Sequence, residues 1–317
     1  MLSLLAFRAI GALADALPRS VQYAIARRAG DLYYFFDATA RENVKDNLRG
    51  VHGDKVSPAL IRKQARWVFR SFGMYLCEFF GQKRFGGDFV DKHVVVQGRE
   101  NLDAALQRGK GVIFCPAHYS NWEMGATIIA HLGYPITIVA QMHADPKVNE
   151  LFFGQREKRG IRVVPSQHGA KGALKALRQN HTVALMGDRR TGGPVVGVKL
   201  FGRLAYLPQG PWRIALTSGA ALLPTFIHRR IDGGLTLEIG APIDVQSSGT
   251  LQERVARLAQ SWTQCFERRL LIDPSQWAVF TKVWADSSND TSHEPDEMAA
   301  MSAAAATSEG GKPERGQ

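Results

Sequence analysis

The sequence is poor in cysteine and lacks the common motifs that hold metals and nucleotides. Its 317 residues contain three scattered cysteines and no C-x-x-C pair, which argues against a disulfide framework or a zinc site. No histidines have the spacing of paired metal ligands. A P-loop, a G-x-G-x-x-G sequence after an apolar run and the G-x-S-x-G sequence of α/β-hydrolases are also absent. We therefore expect neither a metal nor a cofactor.

A long apolar run is missing as well. No stretch approaches the ~20 apolar residues that span a bilayer. Residues 1–18 instead form an amphipathic pattern, in which Arg8, Asp15 and Arg19 share one helical stripe and apolar residues occupy most of the remaining surface. Such a helix suits a membrane interface, although the same apolar surface could pack against the protein. The sequence leaves both interpretations open.

The charge is basic and unevenly distributed. The formal net charge is +11, and residues 286–317 carry seven acidic against two basic residues, so the body before them carries about +16. A body this basic is typical of proteins with an anionic partner, such as a nucleic acid, an anionic lipid surface or a phosphorylated substrate. Solubility alone is the simpler alternative.

The chain divides into three regions by its apolar pattern. Apolar residues at helical spacing predict a helical N-terminal region over residues 1–90, including the interfacial helix. Residues 91–284 alternate short apolar runs with helix-like stretches, which predicts an α/β core with a largely parallel central sheet flanked by helices, in the same globular domain. Residues 285–317 lose this periodicity, which predicts a disordered tail.

Seven apolar runs are expected to form strands, and five later stretches are expected to form helices. The expected strands are residues 94–96, 111–115, 136–140, 161–164, 183–186, 222–227 and 235–239. The expected helices are residues 121–132, 146–159, 169–179, 208–218 and 251–271.

His118 is the most informative single residue. It follows the apolar run that ends at Pro116 and precedes a helix expected near Ser120. Ligands of open α/β sheets bind at the carboxyl ends of the strands. An imidazole in this place can accept a proton from a hydroxyl and return it to a leaving group.

Glu123 is the first candidate partner for His118. A carboxylate on the second ring nitrogen would fix the tautomer of the imidazole. Because five residues of a regular helix turn through about 500°, the pair can form only if His118 lies in the loop before the helix. Ser120-Asn-Trp-Glu123 also matches a capping box, in which Glu123 closes on its own helix N-terminus. Both roles stay open.

His118-x4-Glu123 resembles the HX4(D/E) motif of the glycerolipid and lipid A acyltransferases. Further segments are similar to the branch that contains the late lipid A acyltransferases and the acyltransferases of phosphatidylinositol mannosides. These segments are residues 41–48, 187–189, 198–202, 207–210, 218–224 and 274–277. The resemblance covers roughly residues 1–284.

This resemblance implies a one-step transfer with His118 as general base. A fatty acyl group would pass from the thioester of an acyl carrier protein or coenzyme A to a hydroxyl of a lipid acceptor, chiefly in lipid A biosynthesis. A phosphatidylinositol mannoside or a lysophospholipid is the alternative acceptor. The resemblance also implies a peripheral or monotopic enzyme at the cytoplasmic face of the bacterial inner membrane. A non-enzymatic basic protein that binds nucleic acid or membranes is the remote alternative, and without a nucleic-acid-binding motif we expect no nucleic acid partner.

Asp188 and Arg189 are candidate substrate-binding residues. They follow the apolar run 183–186, so they are expected at the carboxyl end of another strand. An arginine there could bind phosphate oxygens or a developing oxyanion, with Asp188 holding it in place. The alternative is a surface turn, because Thr191-Gly-Gly follows.

Two further candidate sites depend on the resemblance alone. It implies a functional arginine near residue 156, which makes Arg156 the candidate, although Arg159 is equally close. It also implies that Phe201 and Gly202 belong to a loop across the acyl groove. Without the resemblance, these residues would be solvated helix charges and ordinary turn residues.

Overall fold

The computed structural model describes residues 2–53, 55–81, 85–190, 192–244 and 248–284. Within these residues there are eleven α-helices and nine strands. The helices are α1 (Leu2–Ala16), α2 (Arg19–Phe36), α3 (Ala38–His52), α4 (Pro58–Phe80), α5 (Gly87–His93), α6 (Arg99–Leu106), α7 (Trp122–His131), α8 (Pro146–Glu157), α9 (Gly169–Arg178), α10 (Gly210–Ser218) and α11 (Leu251–Ile272). The strands are β1 (Val94–Gln97), β2 (Val112–Cys115), β3 (Ile136–Ala140), β4 (Ile161–Pro165), β5 (Thr182–Ala184), β6 (Val195–Leu200), β7 (Arg203–Pro208), β8 (Ala221–Arg229) and β9 (Leu235–Ile239).

Seven strands form one mostly parallel sheet, and all seven correspond to the runs expected from the sequence. Their order is β1-β9-β8-β2-β5-β3-β4. Every neighbouring pair is parallel except β8 and β9, which are antiparallel. The prediction of an α/β fold with a largely parallel sheet is therefore confirmed. Because β8, β2, β5, β3 and β4 share one direction, their carboxyl ends meet at one edge.

The sheet is covered on both faces, and each face has its own apolar core. Side chains of α9, α10, α11 and the β6–β7 pair bury one face of the sheet. Side chains of α5, α6 and α7 bury the other. Adjacent residues of β2 alternate between the two cores, since Ile113 belongs to the first and Phe114 to the second. This alternation follows the period of two in a strand that is buried on both faces.

The strands β6 and β7 form an antiparallel hairpin that the sequence interpretation missed. They pair from Val195↔Pro208 to Leu200↔Arg203, so Phe201 and Gly202 are its turn. Both turn residues have positive φ, 50° and 76°. The expectation that Phe201 and Gly202 lie in a loop across the groove is corrected here, because the hairpin packs on α11 and the Phe201 N–H binds Glu267.

The N-terminal helices pack on the core and also expose apolar side chains. On α1, Leu4 and Phe7 are buried, and the Phe7 ring lies 5.3 Å from that of Phe80 and 5.4 Å from that of Phe152. Large apolar side chains are exposed elsewhere on α1 and α2, namely Leu5, Leu13, Val21, Ile25, Leu32, Phe35 and Phe36. Among the described residues, no helix is long and apolar enough to cross a bilayer. The predicted tail, residues 285–317, lies outside the described residues.

Candidate active site

His118 lies in the loop between β2 and α7, at the carboxyl edge of the sheet. The loop leaves β2 at Cys115 and ends at Asn121, whose side chain accepts a hydrogen bond of 2.9 Å from the Met124 N–H and caps α7. The His118 ring contacts Trp122 with their centroids 5.0 Å apart. Because His118 precedes the helix, its ring is free to face the neighbouring strand.

The partner of His118 is Asp188, which follows β5. Strands β2 and β5 are parallel neighbours, so the segments after them meet at the same edge. The His118 Nδ1 lies 2.8 Å from Asp188 Oδ1, and the His118 backbone N–H donates to Asp188 Oδ2 at 2.9 Å. The indole Nε1 of Trp277 also donates to Oδ2, at 3.0 Å. Asp188 is 1% exposed, and both of its carboxylate oxygens are hydrogen-bonded.

The surroundings of Asp188 keep its carboxyl ionised. Burial by itself raises the pKa of Asp188, but the charge of His118 and the donated hydrogen bonds bring that pKa below its usual value. An ionised carboxylate can only accept hydrogen bonds. The proton of a neutral His118 therefore lies on Nδ1, and the lone pair on Nε2 is left for proton transfer.

A cavity of about 690 Å³ opens beside His118. Apolar side chains from α7 and the sheet line much of it, among them Phe114, Ala126, Ile129, Ile138, Ile227 and Leu237. Polar groups are added to the cavity lining by His118, Glu123, Arg156 and Arg189. A largely apolar pocket with a few polar groups is typical of a site for a mostly hydrocarbon ligand.

Glu123 pairs with Arg156 rather than with His118, which corrects its expected role as the orienting carboxylate. Arg156 donates to Glu123 Oε1 at 2.6 Å and to Oε2 at 3.1 Å. Burial by itself lowers the pKa of the Arg156 guanidinium, but the charge of the Glu123 carboxylate and its hydrogen bonds outweigh this effect. The pKa of Arg156 is therefore raised overall. The capping-box alternative is also wrong, because Asn121 caps α7 and Ser120 has a φ of 55°.

Comparison with known proteins places the chain in a family. The family model described as bacterial lipid A biosynthesis acyltransferase matches residues 3–286. The chain belongs to this family. The acyltransferase is similar to a phosphatidylinositol mannoside acyltransferase of Mycobacterium tuberculosis, with 28% identity over 259 residues that cover 79% of each protein. It is also similar to the enzyme of that name from Mycolicibacterium smegmatis, with 26% identity over 78% of this chain and 81% of that protein. These findings favour the enzyme over the alternative of a non-enzymatic binding protein.

The structure brings most of the predicted site residues of the acyltransferase together. Arg189 lines the cavity, and Asp188 binds His118. Arg156 lines the cavity, while Arg159 donates to the backbone carbonyls of Glu78 and Phe79, so Arg156 is the arginine at the site. Within the described part of the chain, neither residue of the hairpin turn lines the cavity.

Two residues of the acyltransferase site were missed at the level of the sequence. In the sequence, Trp277 is only part of the matching segment 274–277, and nothing local indicates that it reaches Asp188, 89 positions away. The sequence favours Ser120 over Asn121 as the cap of α7, because Ser120 matches a capping box. Among the described residues, no three metal-binding side chains form a group that could hold an ion.

Proposed function

We propose that this acyltransferase moves a fatty acyl group from the thioester of an acyl carrier protein or coenzyme A to a hydroxyl of a glycolipid. The observation that carries the proposal is the His118–Asp188 pair beside a largely apolar cavity. An imidazole oriented by a buried carboxylate is the arrangement that general-base activation of a hydroxyl requires. The reaction needs no cofactor beyond the thioester co-substrate.

The proposed step forms one ester bond and breaks one thioester bond. The Nε2 of His118 takes the proton of the acceptor hydroxyl as its oxygen attacks the thioester carbonyl carbon. The tetrahedral intermediate then collapses, the carbon–sulfur bond breaks, and His118 returns the proton to the departing thiolate. Asp188 stabilises the imidazolium that exists between these two proton transfers.

Charge and shape of the cavity fit the remaining parts of this step. Arg156 and Arg189 line the cavity, and their N–H groups can donate to the thioester oxygen as it becomes negative, which would stabilise the transition state. Glu123 offsets the charge of Arg156. Ile129, near the end of α7, and Ile136, at the start of β3, also line the cavity, and both lie at the opposite end of their elements from His118. We assign the fatty acyl chain to this part of the cavity.

The first candidate acceptor is a lipid A precursor, because the family description names lipid A biosynthesis and its model covers nearly the whole chain. The second is a phosphatidylinositol mannoside, because the similar proteins from the two mycobacteria carry that name. Both acceptors are anionic glycolipids with sugar hydroxyls. A lysophospholipid would undergo the same chemistry, but neither comparison names one.

We also propose that the enzyme acts at the cytoplasmic face of the inner membrane as a peripheral or monotopic protein. Four exposed apolar side chains of α2 (Val21, Ile25, Leu32 and Phe36) follow helical spacing and share one stripe. Phe36 is 75% exposed, which is unusual for a large aromatic residue. The basic body would favour both an anionic leaflet and an acidic carrier protein.

The test compares His118→Ala with His131→Ala in purified protein. His131 is a matched control, because its Nε2 lies 2.8 Å from Asp91 Oδ1 at the far end of α7. Each variant receives an acyl thioester and vesicles that contain either a lipid A precursor or a phosphatidylinositol mannoside. Free thiol and acylated lipid are measured, the latter by mass spectrometry.

We expect His118→Ala to abolish transfer and His131→Ala to leave it unchanged. Turnover by His118→Ala at the wild-type rate would overturn the proposed base. Acylation of only one of the two glycolipids by the wild type would identify the acceptor. Thiol release that never depends on a lipid acceptor would contradict the proposed transfer.

A further inference from the structure

The segment after α11 turns back and pairs with the catalytic loop. A short 3₁₀ helix, Pro274–Gln276, directs the chain across the loop. The Ser120 N–H donates to the Gln276 carbonyl at 2.7 Å, and the Ala278 N–H donates to the His118 carbonyl at 2.7 Å. Both bonds hold the backbone on either side of Tyr119, which forms an antiparallel bridge with Trp277. The position of the loop therefore depends on a segment about 160 positions away in the sequence.

Trp277 contributes its side chain as well as its backbone. Its ring is 3% exposed and packs edge-on against Phe266, with the centroids 5.4 Å apart. Its indole N–H donates to Asp188 Oδ2, as does the backbone N–H of His118. Since both of these donors hold Oδ2, Asp188 Oδ1 is the oxygen that faces the imidazole.

We propose that Trp277 is a positioning residue for acyl transfer, which fixes the Asp188 carboxylate so that its Oδ1 meets His118 Nδ1. This inference rests on the proposed function. Without the indole donor, Oδ2 keeps one backbone bond and the carboxylate can rotate about it. The imidazole would then spend less time in the tautomer and orientation that a general base needs.

A structural role alone is the competing explanation, and a second tryptophan separates the two. A buried indole N–H usually finds an acceptor whatever its function. Trp262 is fully buried in the same core, and its single N–H donates to the Cys115 carbonyl at 2.8 Å rather than to Asp188. Trp262→Phe therefore loses the same kind of group as Trp277→Phe, with no effect expected on the carboxylate.

The experiment measures kcat and KM for the acyl thioester in both variants of the full chain. For Trp277→Phe we expect kcat to fall by about 10- to 100-fold, as for other supports of a catalytic group, with KM nearly unchanged. Trp262→Phe should keep the wild-type kcat in its folded fraction. A double-mutant cycle combines Trp277→Phe with Asp188→Asn. In the Asp188→Asn protein, Trp277→Phe should cause no further loss of kcat, because the carboxylate that Trp277 positions is gone.

A second replacement guards against a variant that fails to fold. Site-specific incorporation of 3-benzothienylalanine at position 277 exchanges the indole N–H for sulfur and retains the ring shape, so it should reproduce the kcat loss without loss of packing. Equal kcat values for the two phenylalanine variants, or additive losses in the cycle, would overturn this inference. If His118→Ala is inactive while the benzothienyl protein is fully active, only the role of Trp277 fails and the proposed function stands.

Discussion

Replacement of Asp188 by asparagine should reverse the tautomer of His118. Asparagine has the shape of aspartate, but one of its two terminal atoms is a donor. Two N–H groups, from the His118 backbone and the Trp277 indole, point at the Oδ2 position at 2.9 and 3.0 Å. The amide NH₂ cannot occupy that position, because donors would face donors. The amide oxygen must therefore take it, and the NH₂ group must face His118 Nδ1.

This geometry sets the expected size of the effect. With an N–H donor opposite Nδ1, that nitrogen becomes the acceptor and the proton moves to Nε2, which can no longer accept a hydroxyl proton. The corresponding change in a serine protease triad lowers kcat about 10⁴-fold, or about 5.4 kcal/mol of barrier. We expect a similar loss for Asp188→Asn. KM should change little, because Asp188 lies behind His118 and does not line the cavity in the described part of the chain.

The assay follows thiol release under saturating acyl thioester and lipid acceptor. The ¹⁵N chemical shifts of His118 report the tautomer directly, and urea unfolding establishes that the variant is folded. Asp37→Asn is the matched control, because Asp37 caps α3 by accepting from the Ala40 N–H at 2.8 Å and asparagine caps equally well. A kcat for Asp188→Asn within about tenfold of the wild type would refute the reasoning, as would a proton that stays on Nδ1.

Three further predictions address the second ion pair, the cavity and pH. Glu123→Ala leaves Arg156 buried without its carboxylate, so urea unfolding should show a loss of about 3–5 kcal/mol rather than the ~1 kcal/mol of a lost cap. A Cβ at Gly125 would lie 3.7 Å from Leu237, so Gly125→Leu should fill the cavity and shift donor preference to shorter chains, by about 0.8 kcal/mol per excluded methylene in competition assays. Hydrogen bonds from two arginines of α4 hold the pKa of Asp31 well below its usual value. Its stabilisation should be complete above about pH 5 and fall as the pH drops toward the folded pKa, so Asp31→Asn should flatten the unfolding free energy over that acidic range.

The strands of the sheet could be predicted because each is short, apolar and buried on both faces. The hairpin of β6 and β7 was missed although its signal is present: Val196, Val198 and Leu200 are buried in alternation, and two residues separate this strand from the next. That pattern is typical of a β-hairpin. The resemblance points elsewhere, because it implies a loop across the groove at Phe201 and Gly202.

The pairing of His118 with Asp188 could not be predicted from local sequence. The two residues are 70 positions apart, and they meet only because β5 lies beside β2 while β3 and β4 lie beyond it. Alternation of strands and helices predicts a parallel sheet without its strand order. The position of Asp188 at the end of a strand was predictable, but its partner was not.

His118 and Glu123 have different partners because one lies in the loop between β2 and α7 and the other lies in α7 itself. His118 must lie in the loop, because only there can Nδ1 face the strand beside it. Glu123 is the second residue of α7, two positions after the Asn121 cap. From there its carboxylate binds Arg156 on α8. One residue more would rotate the carboxylate by about 100° and remove it from that arginine. The motif therefore places two side chains in the cavity lining, each with a different partner. Substitution of Asp188 should impair proton transfer in a folded enzyme, whereas substitution of Glu123 should act first on the cavity wall and on stability.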